Sequence, residues 1–502
     1  MPFKLKLHDR ENETMKRRDF SKGLLTFGIG AQAACVTGGT KMETDSAGNI
    51  FIEPPRHLPI RRYDVVIAGG GTAGVVAALA AARQGVKTML IEKKGYTGGT
   101  ITEGGTALHS FYNLWKAFPE AEKRQVVKGI PQEIIDRLMQ IGACTGHAEM
   151  SRGYNYDSVC TAIDTELYKL VTHEMLDEAG VFVAVNTMVV GAIMDGSRVR
   201  GVITESVSGR EAVYAESFVD CTAYGDLSAH AGAKYTEPND YPVCNSIGVA
   251  NVDVDKLYDF INEHDAVSQL AHGMRSGQDD QIVRIQGRTA KLPEGFHQEA
   301  RAIGMSMTTT TVHDNYLMFI KLNIKMPVSP TSRDAAAKTE LELRKRQFRA
   351  LQLFRKYVPG CEKALIARTS PQFTIRRGRL IACDYDISHE DVIEGRHFED
   401  DIMAYGFHDS APRLQIKNGG TYGVPFKALR VKGIENLMAS GMLITADHRA
   451  HMSTRNTVCS MGQGQRTGTA AALCVKHQCT TRELPYAELR RTLEKDGVYF
   501  EA

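Results

Sequence analysis

The sequence predicts an α/β fold, in which a domain built on a parallel sheet is interrupted by an inserted α+β domain. Three observations carry that expectation. Tyr63 to Glu92 reads as strand, glycine turn, helix and strand. Residues 236–430 change character, from turn-rich polar sequence to an alternating stretch and a long charged helix. Residues 433–472 then return to a short strand and a glycine-punctuated helix.

In the first stretch, Val65-Val66-Ile67-Ala68 is an apolar run suited to a buried parallel strand. Gly69, Gly71 and Gly74 follow in G-x-G-x-x-G spacing, which makes the unit Rossmann-like. Gly69 allows the tight turn, Gly71 lets the backbone approach a pyrophosphate, and Gly74 permits close helix–strand packing. The helix N-terminus directs free N–H groups and partial positive charge at the phosphates. A second strand, Lys87 to Ile91, ends on Glu92, placed to accept hydrogen bonds from ribose hydroxyls. A lone G-x-G-x-x-G is weak, but here strand, helix, second strand and terminal acid are all in place.

Next comes a glycine- and threonine-rich loop, Lys93 to Gly105, containing Gly98-Gly99-Thr100. Such a loop sits at the carboxyl ends of the strands and cradles the rest of a dinucleotide; a surface loop is the alternative. Ala162 to Gly180 has the spacing of an amphipathic helix. Val181–Val185 and Val189–Ile193 are strand-like, and Val199–Ser206 with Glu211–Phe218 suit a hairpin. An apolar strand then stops on Asp220, and a turn-rich segment through Asp226 leads into a helix near Leu227. Thr308 to Asn323 alternates like one strand, Asp334 to Tyr357 is a long helix, and Arg376, Arg377 and Arg379 cluster before Leu380. Gly433 to Gly441 is a turn, a short strand and a glycine. His448, His451 and Arg455 follow, and Gly464, Gln465 and Gly468 punctuate the closing helix.

The 502 residues suggest about two domains, and a formal net charge of +2 implies no nucleic-acid partner. No run of about 18 apolar residues occurs, so no membrane span is expected. Ten scattered cysteines without a C-x-x-C pair argue against zinc, iron–sulfur and redox-dithiol sites, and no metal is expected. Residues 1–40 are set apart as a targeting segment. Arg17-Arg18-Asp19-Phe20 with Lys22 resembles the R-R-x-F-x-K pattern of a bacterial twin-arginine signal, with an acid-free apolar run behind it and Ala31-Gln32-Ala33 as cleavage site. This implies a periplasmic or secreted protein; a basic disordered N-terminus, or a lipid anchor at Cys35, are the alternatives. The expected order is linker 41–62, nucleotide-binding domain 63–235, cap 236–430, closing part 431–484 and tail 485–502.

Together these blocks resemble an FAD-dependent oxidoreductase, related to the flavoprotein subunits of fumarate reductase and succinate dehydrogenase. The resemblance implies a glutathione-reductase-like FAD-binding domain, bound FAD and a redox reaction. Asp220 to Asp226 is similar to the family's D-A-T-G-D-G-D segment, with Ala223 and Tyr224 in place of Gly and Asp. His448, Ala450, Ser453 and Arg455, with Gly464, Gln465 and Gly468, match its closing H-x-A-x-x-S-x-R…G-Q-x-x-G-T-A-A signature; Arg466 stands where Ala is usual. By this resemblance Gly69, Gly71, Gly74, Glu92, Gly98, Gly99, Thr100, Asp220, Asp226, Gly441, Gly464, Gln465 and Gly468 surround FAD.

A flavin supplies electron transfer; the protein supplies orientation and a proton partner. His448, His451 and Arg455 are the catalytic candidates, and Arg376 and Arg379 the substrate-anion candidates, each with a structural alternative. His109 faces the isoalloxazine, carries a covalent link, or simply packs. His313-Asp314 is an acid/base pair or a strand-end turn. With histidines at the closing signature, the expectation is oxidation of a sugar or hydroxy acid. Reduction of an unsaturated acid, or a non-catalytic electron-relay role, are the alternatives. No second G-x-G-x-x-G unit occurs, so electrons are expected to pass to a separate carrier protein, quinone or oxygen.

Overall fold

The computed structural model describes residues 53–500, except 106, 119, 155–156 and 408–415. The twin-arginine segment, Cys35 included, lies outside the described residues. The chain divides into two compact units, Met1–His57 and Leu58–Ala502.

In the larger unit, Val65–Ala68 is buried at every position, as a strand covered on both faces must be. It is the middle of a five-stranded parallel sheet in the order Leu437–Ala439, Ser217–Asp220, Val65–Ala68, Thr88–Ile91, Phe182–Ala184. Helices Thr72–Arg83 and Thr165–Glu178 make two of the crossovers, so the expected strand–helix–strand unit is present. Residues 211–218 divide between two sheets. Gly209–Tyr214 pairs with Arg198–Ser206 in the hairpin, and Ser217–Asp220, buried throughout, leaves to join the parallel sheet.

A ten-stranded sheet forms the second layer. It draws Leu108–His109, Ala148–Arg152 and Val159–Thr161 from early in the chain and Val243–Ala250, Gln278–Gly287 and Tyr316–Ile324 from later. The stretch 308–323, expected as one strand, is two: Thr308–Thr310 and Tyr316–Ile324. Thr311 causes the break, because its hydroxyl donates to the His313 carbonyl and accepts the His313 N–H, closing a side-chain turn. Arg333–Tyr357 is the expected long helix, with Leu343, Leu353 and Phe354 in the core against this sheet.

The closing helix, Thr457–His477, packs on Thr72–Arg83. At Gly464 an added Cβ would run into the Ala73 carbonyl, and at Gly468 into the Ala77 carbonyl. Only glycine lets these two backbones approach so closely. Among the described residues no helix is long and apolar enough to cross a membrane.

Candidate active site

The turns after the parallel strands meet at one edge of the sheet, where a cleft of about 770 Å³ opens. Gly69, Gly71, Glu92, Gly99, Thr100 and Asp226 are among its lining. Gly69 holds φ +97°, and a Cβ there would strike the Cys221 carbonyl; one at Gly74 would strike the Gly69 carbonyl. Both glycines are required by the protein's own packing. Gly71 differs, since a Cβ there would meet nothing but the Gly99 Cα, at 3.9 Å. Its bareness leaves room in the cleft rather than between elements. The Gly98 N–H donates to the Gly70 carbonyl at 2.8 Å, tying the two glycine loops together. Helix Thr72–Arg83 begins there without a side-chain cap, so its leading N–H groups are open to an anion.

Glu92 accepts from the Gly70 N–H at 2.7 Å on one oxygen and from the Lys94 N–H at 2.9 Å on the other. Each oxygen keeps a further acceptor direction, which suits a ribose hydroxyl. Beside it, burial draws the Lys94 ammonium down to about 8 although Glu103 pairs with it. Glycine N–H groups for a diphosphate, a buried acid for a ribose and apolar Ile91, Val189 and Met442 along the walls fit an adenine dinucleotide. Ala223 adopts φ +64° where the resembling motif carries glycine, so this chain keeps the turn at a strain of roughly 1–2 kcal/mol.

A second cavity, of about 1200 Å³, shares Thr100, Thr374, Ile375 and Met442 with the first. Its polar lining includes Arg284, Lys321, Arg376, Arg455, His109 and Asn245, and no carboxylate is among the described residues that line it. Arg284, 2% exposed, donates from Nε and Nη2 to Gln269 Oε1 at 2.9 and 2.7 Å, and from Nη1 to His109 Nε2 at 3.3 Å. Arg376 donates to the Pro242 carbonyl at 2.6 Å, and the Arg455 guanidinium lies 5.3 Å from the Tyr241 ring centre. Asn245 is 1% exposed, and neither atom of its amide has a hydrogen-bond partner among the described residues. Phe319 lines the same cavity at φ +67°, a strained backbone for a bulky residue.

Of the sequence candidates, His109, Arg376 and Arg455 reach this cavity; His448, His451 and Arg379 line neither. His448 is 44% exposed, stacks on Tyr241 with 4.5 Å between ring centres, and bonds Asp240 at 2.7 Å. Burial works against the Asp240 charge, but hydrogen bonds from Arg377 and His448 bring its carboxyl down to about 2. His451 is fully buried and donates from Nε2 to the Met442 carbonyl at 3.2 Å. Burial first, then Arg455 and Arg377, push its pKa well below the usual histidine range, so it is neutral. Arg379 pairs with Asp226 at 3.0 Å and with the Tyr224 carbonyl at 2.9 Å, bracing the wall of the first cleft. His313 bonds Asp164, not its neighbour Asp314, at 2.9 Å.

Several expected cofactor contacts are structural instead. Asp220 is fully buried and accepts from the N–H and hydroxyl groups of Thr222 and Ser228, so it holds the loop from behind. Gly441, at φ +94°, donates its N–H to Gln463 at 2.7 Å; the next residue, Met442, reaches both cavities. The closing helix starts at Thr457, capped by Asn456, so Gly464 lies about two turns inside it. Gln465 there accepts from the Ile130 N–H at 3.1 Å and donates to the Asp496 carbonyl at 3.2 Å. Its helix end does reach the second cavity, through Asn456, Thr457 and Ser460. Arg284, Lys321, Asn245 and Gln463 were not anticipated. The usable signal was a charge between two apolar neighbours, as in Val283-Arg284-Ile285; Asn245, beside the polar Ser246, offered none.

A family model described as FAD dependent oxidoreductase matches residues 64–493. A 3-oxosteroid 1-dehydrogenase of Mycolicibacterium smegmatis is 41% identical over 73 residues, 14% of this chain and 12% of that protein. Cinnamate reductase of Clostridium sporogenes is 58% identical over 41 residues, 8% of this chain and 6% of that one. These matches thus span a small part of the relatives' length. A solved geranylgeranyl bacteriochlorophyll reductase-like protein of Thermoplasma acidophilum aligns at TM-score 0.46 and 15% identity, over 87% of this chain and 83% of the other. With the family match running through nearly all of the larger unit, and a cleft whose donors suit an adenine dinucleotide, the chain belongs to the FAD-dependent oxidoreductases.

Proposed function

We propose that the chain, with FAD in the first cleft, oxidises a small hydroxy acid held by its carboxylate in the second cavity. One observation supports this above the others: Arg284, Lys321, Arg376 and Arg455 line a cavity that adjoins the dinucleotide cleft and, among its described lining, contains no carboxylate. Charge-assisted hydrogen bonds to a carboxylate are the strongest such a site can form, and guanidinium groups offer them in pairs. Three guanidinium groups and an ammonium along one lining attract a carboxylate more strongly than a neutral hydroxyl, so the acid is favoured over the sugar. FAD, when bound, supplies the two-electron acceptor; reoxidation falls to a separate carrier protein, quinone or oxygen.

The same cations support a second reading, reduction of an unsaturated acid, where they would hold the carboxylate and draw charge from the alkene. The short match to cinnamate reductase is in keeping with it. Anaerobic mixing of the holoenzyme separates the two. Glycolate, lactate or malate should bleach the oxidised flavin, and Arg376→Leu should raise the half-saturating concentration about 10- to 100-fold, as loss of a charged hydrogen bond of about 1.5–3 kcal/mol requires. Re-oxidation of pre-reduced flavin by fumarate or cinnamate alone would select the second reading. Bleaching by neutral sugars alone would end the acid assignment, and no response to any of them would favour an electron-relay role.

We also propose export by the twin-arginine route, on the strength of Arg17-Arg18-Asp19-Phe20 with Lys22. Replacing Arg17 and Arg18 by Lys should retain the protein in the cytoplasm of a bacterial host; unchanged export would refute it.

A further inference from the structure

Resting on that anion-binding reading, we infer that His109 exchanges the proton with the substrate oxygen in the second cavity, with Asp157 and Arg284 as its positioning residues. His109 ends the two-residue strand Leu108–His109, which pairs with Val159–Thr161 so that His109 lies opposite Cys160. Asp157 precedes that partner strand. It is 2% exposed, accepts from the Val159 N–H at 3.3 Å on one oxygen, and meets His109 Nδ1 with the other. A buried carboxylate on Nδ1 places the ring proton there and leaves Nε2 as the basic nitrogen. Arg284 leads independently to the same tautomer. A guanidinium can only donate, so its Nη1, 3.3 Å away, requires Nε2 to accept. Gln269 holds the other two guanidinium nitrogens, and so fixes the plane from which Nη1 reaches.

The remaining ionisable groups among the described lining serve this role less well. Lys321 and the arginines are cations suited to binding, and the Cys244 thiol is 3.1 Å from the Thr374 hydroxyl. His109 is the one histidine among the described residues of the lining. Asn245, buried with both amide atoms unpartnered among the described residues, supplies a donor and an acceptor in the same cavity and is suited to steady an oxygen that changes from hydroxyl to carbonyl. In the oxidation, the substrate O–H bond breaks and its proton passes to Nε2. The released electron pair becomes the second carbon–oxygen bond. FAD, when bound in the first cleft, would supply the acceptor for the hydrogen of that carbon and its electron pair. Asp157 balances the positive charge gained by the ring. A substrate carboxylate competes with Nε2 for the Arg284 Nη1 hydrogen, and so uncovers the base as it binds.

The test uses the holoenzyme, with oxalate as an unreactive probe of the anion pocket. Ring-nitrogen NMR, with His109 assigned by its loss in His109→Gln, should show the proton on Nδ1 in the wild type. Saturation with oxalate, followed by the flavin spectrum, should shift the Nε2 resonance. With any hydroxy acid that bleaches the wild-type flavin, His109→Gln should slow single-turnover reduction about 10²–10⁴-fold and remove the acid limb of its pH profile. Oxalate affinity should meanwhile change by less than about threefold, because the cations remain. Oxalate binding with Nε2 protonated or unmoved, or near-wild-type reduction in His109→Gln, would overturn the inference alone. Failure of oxalate to perturb either spectrum would overturn the anion reading, and the inference with it.

Discussion

Two glycine substitutions should separate the cofactor's space from the protein's own packing. At Gly71, the backbone is extended (φ −69°, ψ −175°) and an added Cβ meets nothing closer than 3.9 Å, so Gly71→Val fits the apoprotein. The expected loss is the capping preference of glycine over valine, roughly 1 kcal/mol. At Gly464, the new methyl would collide with the Ala73 carbonyl, and neither helix backbone yields cheaply. Overpacking of that kind costs about 3 kcal/mol. Unfolding entropy of about 2.1 cal/mol/K per residue makes 1 kcal/mol worth roughly 1 °C in a unit the size of Leu58–Ala502. Gly464→Ala should therefore lower Tm by about 3 °C with and without FAD. Gly71→Val should lower the apoprotein by about 1 °C. Its branched side chain occupies diphosphate space, however, and a hundredfold loss of affinity removes about 2.7 kcal/mol of ligand stabilisation, a further 3 °C or so at equal FAD. Thermal unfolding of apo and reconstituted protein, with FAD titration by fluorescence, measures both effects. Wild-type FAD affinity in Gly71→Val, or an apo Tm as low as that of Gly464→Ala, would refute the reasoning.

Ala223→Gly removes the left-handed strain at φ +64° but adds freedom to the unfolded chain; the balance should be a gain of about 0.5–1 kcal/mol, and a loss in denaturant titration would contradict it. His147 is neutral in the fold, with Nε2 donating to Gln132 at 2.8 Å and Nδ1 accepting from Thr161 at 2.9 Å, and burial draws its pKa down to about 4. The unfolded chain takes up this proton below about 6.5 and the folded one only near 4, so stability falls as pH drops between the two. From pH 6.5 to 5 this group removes about 2 kcal/mol. His147→Gln should reduce the slope of stability against pH by one proton there, with the buried His451 still contributing its own; identical slopes would refute the assignment.

The nucleotide half of the molecule was legible because its signals are local. An apolar tetrapeptide, glycines at fixed spacing and an acid after the second strand lie within Tyr63 to Glu92, and periodicity sets the faces of each element. What spacing cannot tell is which way a required glycine faces. Gly71 faces the cleft and Gly464 a neighbouring helix, yet in sequence both are glycines of a nucleotide motif. Asp220 was misplaced for a similar reason, since an acid at a strand end can hold a ribose or its own loop, and four donors from Thr222 and Ser228 decide for the loop. The histidines of the closing signature were conspicuous through proximity alone. His448 opens the helix His448–Thr454 at the surface, and His451, one turn on, points inward to the Met442 carbonyl.

His109, Arg376 and Arg455 stood out singly, but the second cavity as a whole was illegible because its polar residues come from separate strands and loops, at 109, 245, 284, 321, 376 and 455, and only the ten-stranded sheet and the loops beside it assemble them. Their burial nonetheless carries a physical message. A guanidinium as enclosed as that of Arg284 gives up water for hydrogen bonds that include those to the neutral Gln269 and to His109. Enclosing a charge is costly in the isolated fold, and so is an asparagine whose amide has no partner among the described residues. Both costs fall when an anion with hydrogen-bonding oxygens enters. These features would make ligand binding selective for a charged, oxygen-bearing molecule, and a neutral apolar compound of the same size would offer none of them a hydrogen bond.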